Sequence, residues 1–205
     1  MEVSSIVHKL KGRTPTILGQ DKYFRSAILI PLVEKDGETH LLFEVRSMKL
    51  NRQPGDTCFP GGRIEQSDSS PREAAVRETT EELTIKEEEV DEVIPLDYIV
   101  SDSGRIIYPF IGKVAPRQEV KPNDGEVEEV FTVPLNFFLE NEPEVHQVRL
   151  QVQPADDFPY ELIVGGEDYN WQFRETDELF YQYHGKVIWG LTAKILRHFV
   201  ELLKA

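Results

Sequence analysis

The segment from Phe59 to Ile85 reads FPGGRIEQSDSSPREAAVRETTEELTI and decides how the rest of the chain is interpreted. It opens with an irregular stretch that ends in Gly61-Gly62. Ser70 then offers an N-cap side chain, a proline follows at the first helical position, and Glu73 completes an S-x-x-E capping box. The pattern predicts a helix that begins after Ser70 and runs to about Leu83.

Three carboxylates are predicted to share one face of this helix. Glu78, Glu81 and Glu82 stand at i, i+3 and i+4, so their side chains fall within an arc of about 100°. Like charges at this spacing repel, so the helix needs either open solvent or a counter-ion. An acidic solvent-facing helix is the plain alternative. The preceding Gly61-Gly62, and Arg77 one turn before Glu81, favour a site for Mg²⁺ or Mn²⁺ instead.

Composition limits the classes of partner. The chain has 205 residues, of which 40% are hydrophobic, as in an ordinary globular protein, and one domain is the default expectation. Its 23 basic and 37 acidic side chains give a net charge of -14, which would repel a nucleic acid backbone. A small polyanion remains compatible with this charge, because divalent cations can neutralise both partners.

Cysteine usage and hydropathy indicate the compartment. Cys58 is the only cysteine, so the sequence has neither a disulfide framework nor a cysteine zinc cluster. Residues 1–20 lack the apolar stretch of a signal peptide, and no run of about 18 apolar residues occurs. A cytoplasmic protein that does not associate with a membrane is therefore expected.

The remaining pattern suggests one domain with a short extension. Apolar residues at helical spacing over 3–11 predict a helix, so residues 1–22 are interpreted as a helical extension packed on a domain that covers residues 23–205. Two strand-like runs that flank Asp36-Gly37 predict a β-hairpin over residues 26–46. Further elements are expected as strands at 93–100, 106–114, 129–133, 145–152 and 160–164 and as a buried helix at 187–203.

Six residues of the opening segment resemble the Nudix box, whose usual form is G-x5-E-x7-R-E-U-x-E-E-x-G-U with U apolar. The six are Gly62, Asp68, Arg77, Glu78, Glu81 and Glu82. Asp68 stands in place of the first glutamate, and eight residues rather than seven separate it from Arg77. Thr79 replaces the first apolar residue, and Thr84 replaces the final glycine.

A second motif lies upstream and is similar to the form L-L-T-x-R-S-x3-R-x3-G-x3-F-P-G-G, found in the Nudix branch that cleaves coenzyme A. The matching residues are Leu42-Phe43, Arg46-Ser47, Gly55 and Phe59-Pro60-Gly61-Gly62. Glu44 stands where threonine is usual, Asn51 replaces the second arginine, and Gln53 occupies a position where many members carry histidine. The one-residue insertion before Arg77 also resembles this branch.

The resemblance implies an α/β protein with the Nudix fold, an α/β/α sandwich around a mixed β-sheet. It implies that Mg²⁺ or Mn²⁺ assists hydrolysis of a pyrophosphate bond in coenzyme A or its derivatives, giving 3′,5′-ADP and 4′-phosphopantetheine. Glu78 and Glu82 would be the principal metal ligands, with Glu81 a further ligand or a base. Arg77 would orient Glu81.

Other site residues are hypotheses from the same resemblance. Glu126 and Glu129 are candidates for the general base, and Glu126 joins Glu78, Glu81 and Arg77 as the expected catalytic group. Lys49 and Arg63 are further cations beside the box that could neutralise phosphates. The residues expected to bind substrate are Arg46, Arg52, Phe59, Gly61 and Gly62.

Two alternatives stay open. The departures at Asn51 and Gln53 are compatible with another nucleoside diphosphate substrate, such as ADP-ribose or NADH. A Nudix-fold sensor that binds a nucleotide without cleaving it belongs to a different class of protein, and loss of the box glutamates would be its sign. A homodimer is compatible with the fold.

Overall fold

The computed structural model describes residues 2–101 and 104–205. Within these ranges the chain forms four α-helices: α1 Val3–Leu10, α2 Pro71–Leu83, α3 Leu135–Glu140 and α4 Gly190–Lys204. The strands are β1 Phe24–Lys35, β2 Glu38–Arg46, β3 Thr57–Cys58, β4 Gly61–Arg63, β5 Val90–Pro95, β6 Ile99–Ser101, β7 Arg105–Val114, β8 Val127–Pro134, β9 Glu144–Leu150, β10 Arg174–Tyr183 and β11 Lys186–Trp189.

The strands form one large mixed sheet and one small antiparallel sheet. In the large sheet the order is β3-β2-β1-β7-β5, with β4 paired to β1, β6 to β7 and β8 to β2. β1 and β7 run parallel, whereas the pairs β1–β2, β2–β8 and β5–β7 are antiparallel. The small sheet has the order β11-β10-β9. The predicted hairpin is confirmed as β1 and β2.

Side chains of the large sheet enter two separate cores because they alternate between its faces. On one face, Ala27 and Leu29 of β1 pack with Ala74 and Ala75 of α2. The opposite face packs against α3, α4 and the small sheet, and its core includes Ile30, Phe43, Phe138, Leu179, Ile188, Leu196 and Phe199. Helices therefore cover both faces of a mixed sheet, which confirms the expected α/β architecture.

Helix α2 begins and ends as its sequence dictates. The Ser70 side chain accepts a hydrogen bond from the Glu73 amide at 3.2 Å. The Glu73 carboxylate accepts from the amide of Ser69, one residue earlier than a standard capping box. The helix ends at Thr84, whose φ of 53° is left-handed and whose amide donates to the Thr80 carbonyl.

The N-terminal segment forms the predicted helix α1, but its apolar side chains are exposed. The exposed fractions are 77% for Val3, 43% for Ile6, 62% for Val7 and 57% for Leu10. In the described residues the helix is thus present without the expected packing on the domain, and the division into residues 1–22 and 23–205 stays a prediction. No helix in residues 2–101 or 104–205 has the length and apolar content to span a membrane.

Four elements of the C-terminal half differ from the sequence-based expectation. One of them, the short helix α3 at Leu135–Glu140, was not predicted. Residues 160–164 were expected to form a strand but contain the 3-10 helix Tyr160–Leu162. The final helix begins at Gly190, because residues 186–189 pair with β10 as strand β11. Strand β10 was not predicted, since only Leu179 and Tyr181 among its residues are buried and the N-terminal half of the strand is charged.

Candidate active site

The glycine pair brings strand β4 into contact with helix α2. The Gly61 amide donates a hydrogen bond of 2.8 Å to the Glu82 carboxylate. A Cβ atom at Gly61 would lie 2.5 Å from the Ala27 carbonyl oxygen and 2.7 Å from the Ile28 Cα atom. Both atoms belong to the backbone of β1 and cannot give way cheaply. Only glycine therefore allows β4 to pair this closely with β1.

Gly62 brings the second carboxylate to the same strand. A Cβ atom at Gly62 would lie 2.3 Å from the Glu78 carboxyl carbon and 2.4 Å from each of its oxygens. Glycine here leaves the space that the Glu78 carboxylate occupies. The predicted Gly61, Gly62, Glu78 and Glu82 thus form one contiguous group.

The Arg77 guanidinium contacts three carboxylates, those of Asp68, Glu78 and Glu81. Its guanidinium donates to both Asp68 oxygens, at 2.9 and 3.0 Å, and to the Arg63 carbonyl at 3.1 Å. It also lies 2.9 Å from the Glu78 carboxylate and 3.2 Å from that of Glu81. The Glu81 side chain is 55% exposed, whereas that of Glu78 is only 17% exposed. Glu78 and Glu82 are therefore largely buried and Glu81 is exposed, while Arg77 contacts both Glu78 and Glu81.

Four carboxylates act on one another, and we call Glu44, Glu78, Glu82 and Glu126 the carboxylate cluster. Burial raises the pKa of Glu82, the charge of Glu44 raises it further, and the Gly61 hydrogen bond opposes the shift. Burial also raises the pKa of Glu44, against which its hydrogen bond with Cys58 acts. The pKa of Glu78 is raised by burial, and the charge of Arg77 opposes the rise. The cluster therefore disfavours full ionisation in the absence of a counter-ion.

The two candidate bases lie in different surroundings. The amide of Asn123 donates to the Glu82 carbonyl at 2.9 Å, which fixes the loop before β8 on the end of α2. Glu126 in this loop accepts from the Asn123 side chain at 3.1 Å, and its charge raises the pKa of Glu44, Glu78 and Glu82. Glu129 forms an ion pair with Lys186 instead. Of the two candidates, Glu126 belongs to the carboxylate cluster, and its role as the base stays a prediction.

A cavity of about 340 Å³ opens next to the glycine pair. Arg46, Phe59 and Gly61 line it from the large sheet, while Trp189 and Thr192 line it from β11 and α4. The Thr192 hydroxyl donates to the Thr57 carbonyl at 3.3 Å, which joins the two sides. Gly61, whose amide binds Glu82, connects the cavity to the carboxylate cluster.

The other predicted cations have different contacts. The Arg46 guanidinium donates to the Arg52 carbonyl at 3.4 Å, and Arg52 does not contribute to the cavity lining described above. Lys49 donates to the Asp124 carbonyl at 3.2 Å. The Arg63 guanidinium lies over the Phe24 ring at 5.3 Å. Of the predicted substrate residues, Arg46, Phe59 and Gly61 come together at the cavity, and binding by Arg52 stays a prediction.

A divalent metal ion fits the chemistry of the carboxylate cluster. Its side chains offer carboxylate oxygens, the donors that Mg²⁺ and Mn²⁺ prefer. A cation among them would offset both the burial and the mutual repulsion that raise the pKa values of Glu44 and Glu82. Across residues 2–101 and 104–205, no three His, Cys, Asp or Glu side chains already stand in the arrangement of a metal site, and Arg77 engages both Glu78 and Glu81.

Glu44 is not among the site residues predicted from the sequence. In the upstream motif it stands out only as a departure from threonine. A stronger signal was available, because Glu44 follows the apolar run Leu41-Leu42-Phe43 within a predicted strand. An acidic residue in a buried strand needs a partner or a function, since burial of an uncompensated carboxylate is costly.

Comparison with known proteins finds a matching family and several relatives. Residues 22–154 match the family model described as NUDIX domain. The chain is 37% identical over 132 residues to "Peroxisomal coenzyme A diphosphatase NUDT7" of Mus musculus, an alignment that covers 64% of this chain and 55% of that protein. It is 33% identical over 184 residues to "Mitochondrial coenzyme A diphosphatase NUDT8" of Homo sapiens, covering 87% and 69% of the respective chains.

Among solved structures, a MutT/nudix family protein from Enterococcus faecalis matches with a TM-score of 0.51 at 12% identity, covering 100% of this chain and 70% of that chain. At this identity the likeness concerns the fold alone. The alignment with the mouse relative spans little more than half of that protein's length. The names of the two relatives refer to the peroxisome and the mitochondrion, and the cytoplasmic location expected here stays a prediction.

Proposed function

Since the chain belongs to the Nudix family, we propose that it is a divalent metal-dependent pyrophosphohydrolase that acts on coenzyme A or a coenzyme A derivative. Water would cleave the pyrophosphate bond and release 3′,5′-ADP and 4′-phosphopantetheine. The printed names of two relatives, both coenzyme A diphosphatases, support this substrate. One observation supports the activity most directly: Glu78 and Glu82 meet Gly61-Gly62, and Gly61 also lines the cavity.

Each group has a role that follows from its position. Glu78 and Glu82 would hold Mg²⁺ or Mn²⁺, and Arg77 would keep Glu81 oriented through the ion pair at 3.2 Å. When bound, the divalent cations would offset the negative charge of the bridging phosphates and acidify the attacking water. Glu126, which the loop holds near Glu82, would accept a proton from that water.

The cavity would hold the rest of the substrate. Its lining combines the Arg46 cation with the Phe59 and Trp189 rings, so it suits a ligand with phosphates and an aromatic or apolar portion. Coenzyme A has all of these features. ADP-ribose and NADH share the diphosphate and the adenine, so these two alternatives have to be separated by measurement.

The test is turnover of coenzyme A by the purified chain. We expect 3′,5′-ADP to appear by liquid chromatography and mass spectrometry when Mg²⁺ or Mn²⁺ is present and to be absent with EDTA. Glu82→Gln should lower kcat by at least about 100-fold, because it removes a ligand of the catalytic cation. Glu38→Gln, an exposed substitution at the start of β2, is the matched control.

The same panel distinguishes the alternatives. Turnover of ADP-ribose or NADH with none of coenzyme A would replace the proposed substrate. Nucleotide binding without turnover of any of the three would indicate a sensor. Full activity of Glu82→Gln would mean that α2 does not hold the catalytic cation.

A further inference from the structure

One member of the carboxylate cluster comes from the large sheet. Glu44 lies on β2, where Leu41, Leu42 and Phe43 precede it, and all four residues are buried. Side chains alternate along a strand, so Glu44 faces away from Phe43, which packs in the core under α4. The Glu44 carboxyl group accordingly lies on the α2 side of the sheet, where its charge acts on Glu82.

Half of the Glu44 carboxyl group has no hydrogen-bond partner. Its Oε1 accepts from the Cys58 thiol, with a sulfur-to-oxygen distance of 3.2 Å. Its Oε2 is fully buried and accepts from no group of the described chain. The nearby Arg46 guanidinium donates to a backbone carbonyl instead. Such an oxygen is costly to bury, so an occupant with positive charge would stabilise it.

The strand pairing around Glu44 shows where such an occupant would sit. Glu44 pairs with Cys58 of β3, and three residues after Cys58 the Gly61 amide binds the Glu82 carboxylate. The charges of Glu44 and Glu82 accordingly act on each other. The free oxygen thus belongs to the same group of carboxylates as the two expected metal ligands of α2. Cys58 is a poor competitor for this cation, because Mg²⁺ and Mn²⁺ prefer carboxylate oxygen to sulfur.

We propose that Glu44 is an additional ligand of the divalent cation, supplied by the sheet through its free Oε2. This inference rests on the proposed metal-dependent function. The Glu44 carboxylate would add a hard oxygen donor and a negative charge to those of Glu78 and Glu82. Glu44 would then link the metal to β2, in addition to the attachment to α2.

If Glu44 binds the cation, removing its carboxylate should have opposite effects on the metal-free and the metal-bound protein. Without metal, Glu44→Gln replaces a buried ionisable group with a neutral one and should raise Tm or leave it unchanged. With metal, the same change removes a ligand and should weaken binding. A Glu44 that served only as a buried neutral acid would leave Mn²⁺ binding unchanged on the same substitution.

The experiment is Mn²⁺ binding by the full chain, measured from the loss of the free-ion electron paramagnetic resonance signal and from the metal-dependent rise in Tm. Neither readout depends on activity. We expect Glu44→Gln to weaken Mn²⁺ affinity at least tenfold and to reduce the Tm increase. Glu44→Thr should do the same and serves as the second variant if Glu44→Gln does not fold. Glu38→Gln on the same strand should match the wild type.

The outcomes separate the two proposals. Wild-type protein that does not bind Mn²⁺ at millimolar concentration would overturn the proposed function and this inference together. Wild-type binding with an unchanged affinity in both Glu44 variants would overturn this inference alone. A crystal structure with Mn²⁺ should place Glu44 Oε2 at a ligand distance of about 2.2 Å, and a Glu44 carboxylate outside the ligand shell would also overturn it.

Discussion

Gly62 has no side chain, and this leaves the space that the Glu78 carboxylate occupies in the site. We predict that Gly62→Ala lowers kcat/KM for coenzyme A about 100-fold, because the new methyl group would occupy the position of the Glu78 carboxylate. The colliding atoms are the end of a flexible side chain, so the fold should persist, and Tm should change by only a few degrees. Steady-state kinetics with a thermal melt checks both parts. Unchanged kcat/KM would mean that this position of Glu78 is not needed for turnover.

Asp68 tests the ion pairing around Arg77 through its pH dependence. Hydrogen bonds from Arg77 hold the pKa of Asp68 below its usual range. Asp68 therefore contributes stability fully above its unfolded-state pKa of about 3.9 and loses that contribution as pH falls through the lower folded-state pKa. Asp68→Asn should lower the free energy of unfolding by about 1–3 kcal/mol at pH 7.

The measurement for Asp68 is urea unfolding of wild type and variant at pH 7 and again below about pH 4. The difference between the two proteins should shrink at the lower pH. Asp157→Asn, at an exposed position, is the control and should be neutral at both values. A difference that stays constant with pH would show that the ionised carboxylate is not what stabilises the fold.

Individual residues of the site differed in how well they could be predicted from the sequence. Glu78, Glu82 and Gly62 could be recognised because their spacing is local and periodic. The division between a buried Glu82 and an exposed Glu81 could not be predicted, since it depends on the Gly61 hydrogen bond and the Arg77 ion pair across the fold. Glu44 was missed because its partners are distant in sequence.

At the scale of elements, the C-terminus of α2 carries avoidable strain. Thr84 has a φ of 53°, a conformation that costs about 1 kcal/mol for a residue with a branched Cβ. Thr84→Gly should therefore raise the free energy of unfolding by about 0.5–1 kcal/mol in urea titrations. Thr84→Ala retains the Cβ atom and should gain less. A loss of stability in Thr84→Gly would indicate that the threonine side chain stabilises this end of the helix.

Elements with local signals were predicted, and those that depend on tertiary packing were not. Helix α2 has a cap residue, a proline and helical periodicity, and the β1–β2 hairpin has Asp36-Gly37 between apolar runs. Strand β11 was assigned to the final helix because Leu191 and later apolar residues continue its spacing. Gly190, with a φ of 62°, separates the strand from α4, and this turn becomes evident only from the backbone.

At the scale of the whole molecule, the core extends past the matched domain. The family model ends at residue 154, yet the core under α4 includes Leu179, Ile188 and Leu196 from the segment that follows. We predict that a chain truncated after residue 154 exposes Phe43 and Phe138 and loses cooperative unfolding. Thermal denaturation followed by circular dichroism would check this, with binding of a hydrophobic dye as a second readout. A truncated chain with a cooperative transition would contradict it.

The cavity between these two parts has a consequence for how the protein can change over evolutionary time. Glu78 and Glu82 lie on the matched domain, whereas Trp189 and Thr192 enter the cavity from the C-terminal segment. In the proposed function, substitutions in that segment would alter which molecule is held without disturbing the carboxylates that would act on it. Selectivity and chemistry would thereby be open to separate selection.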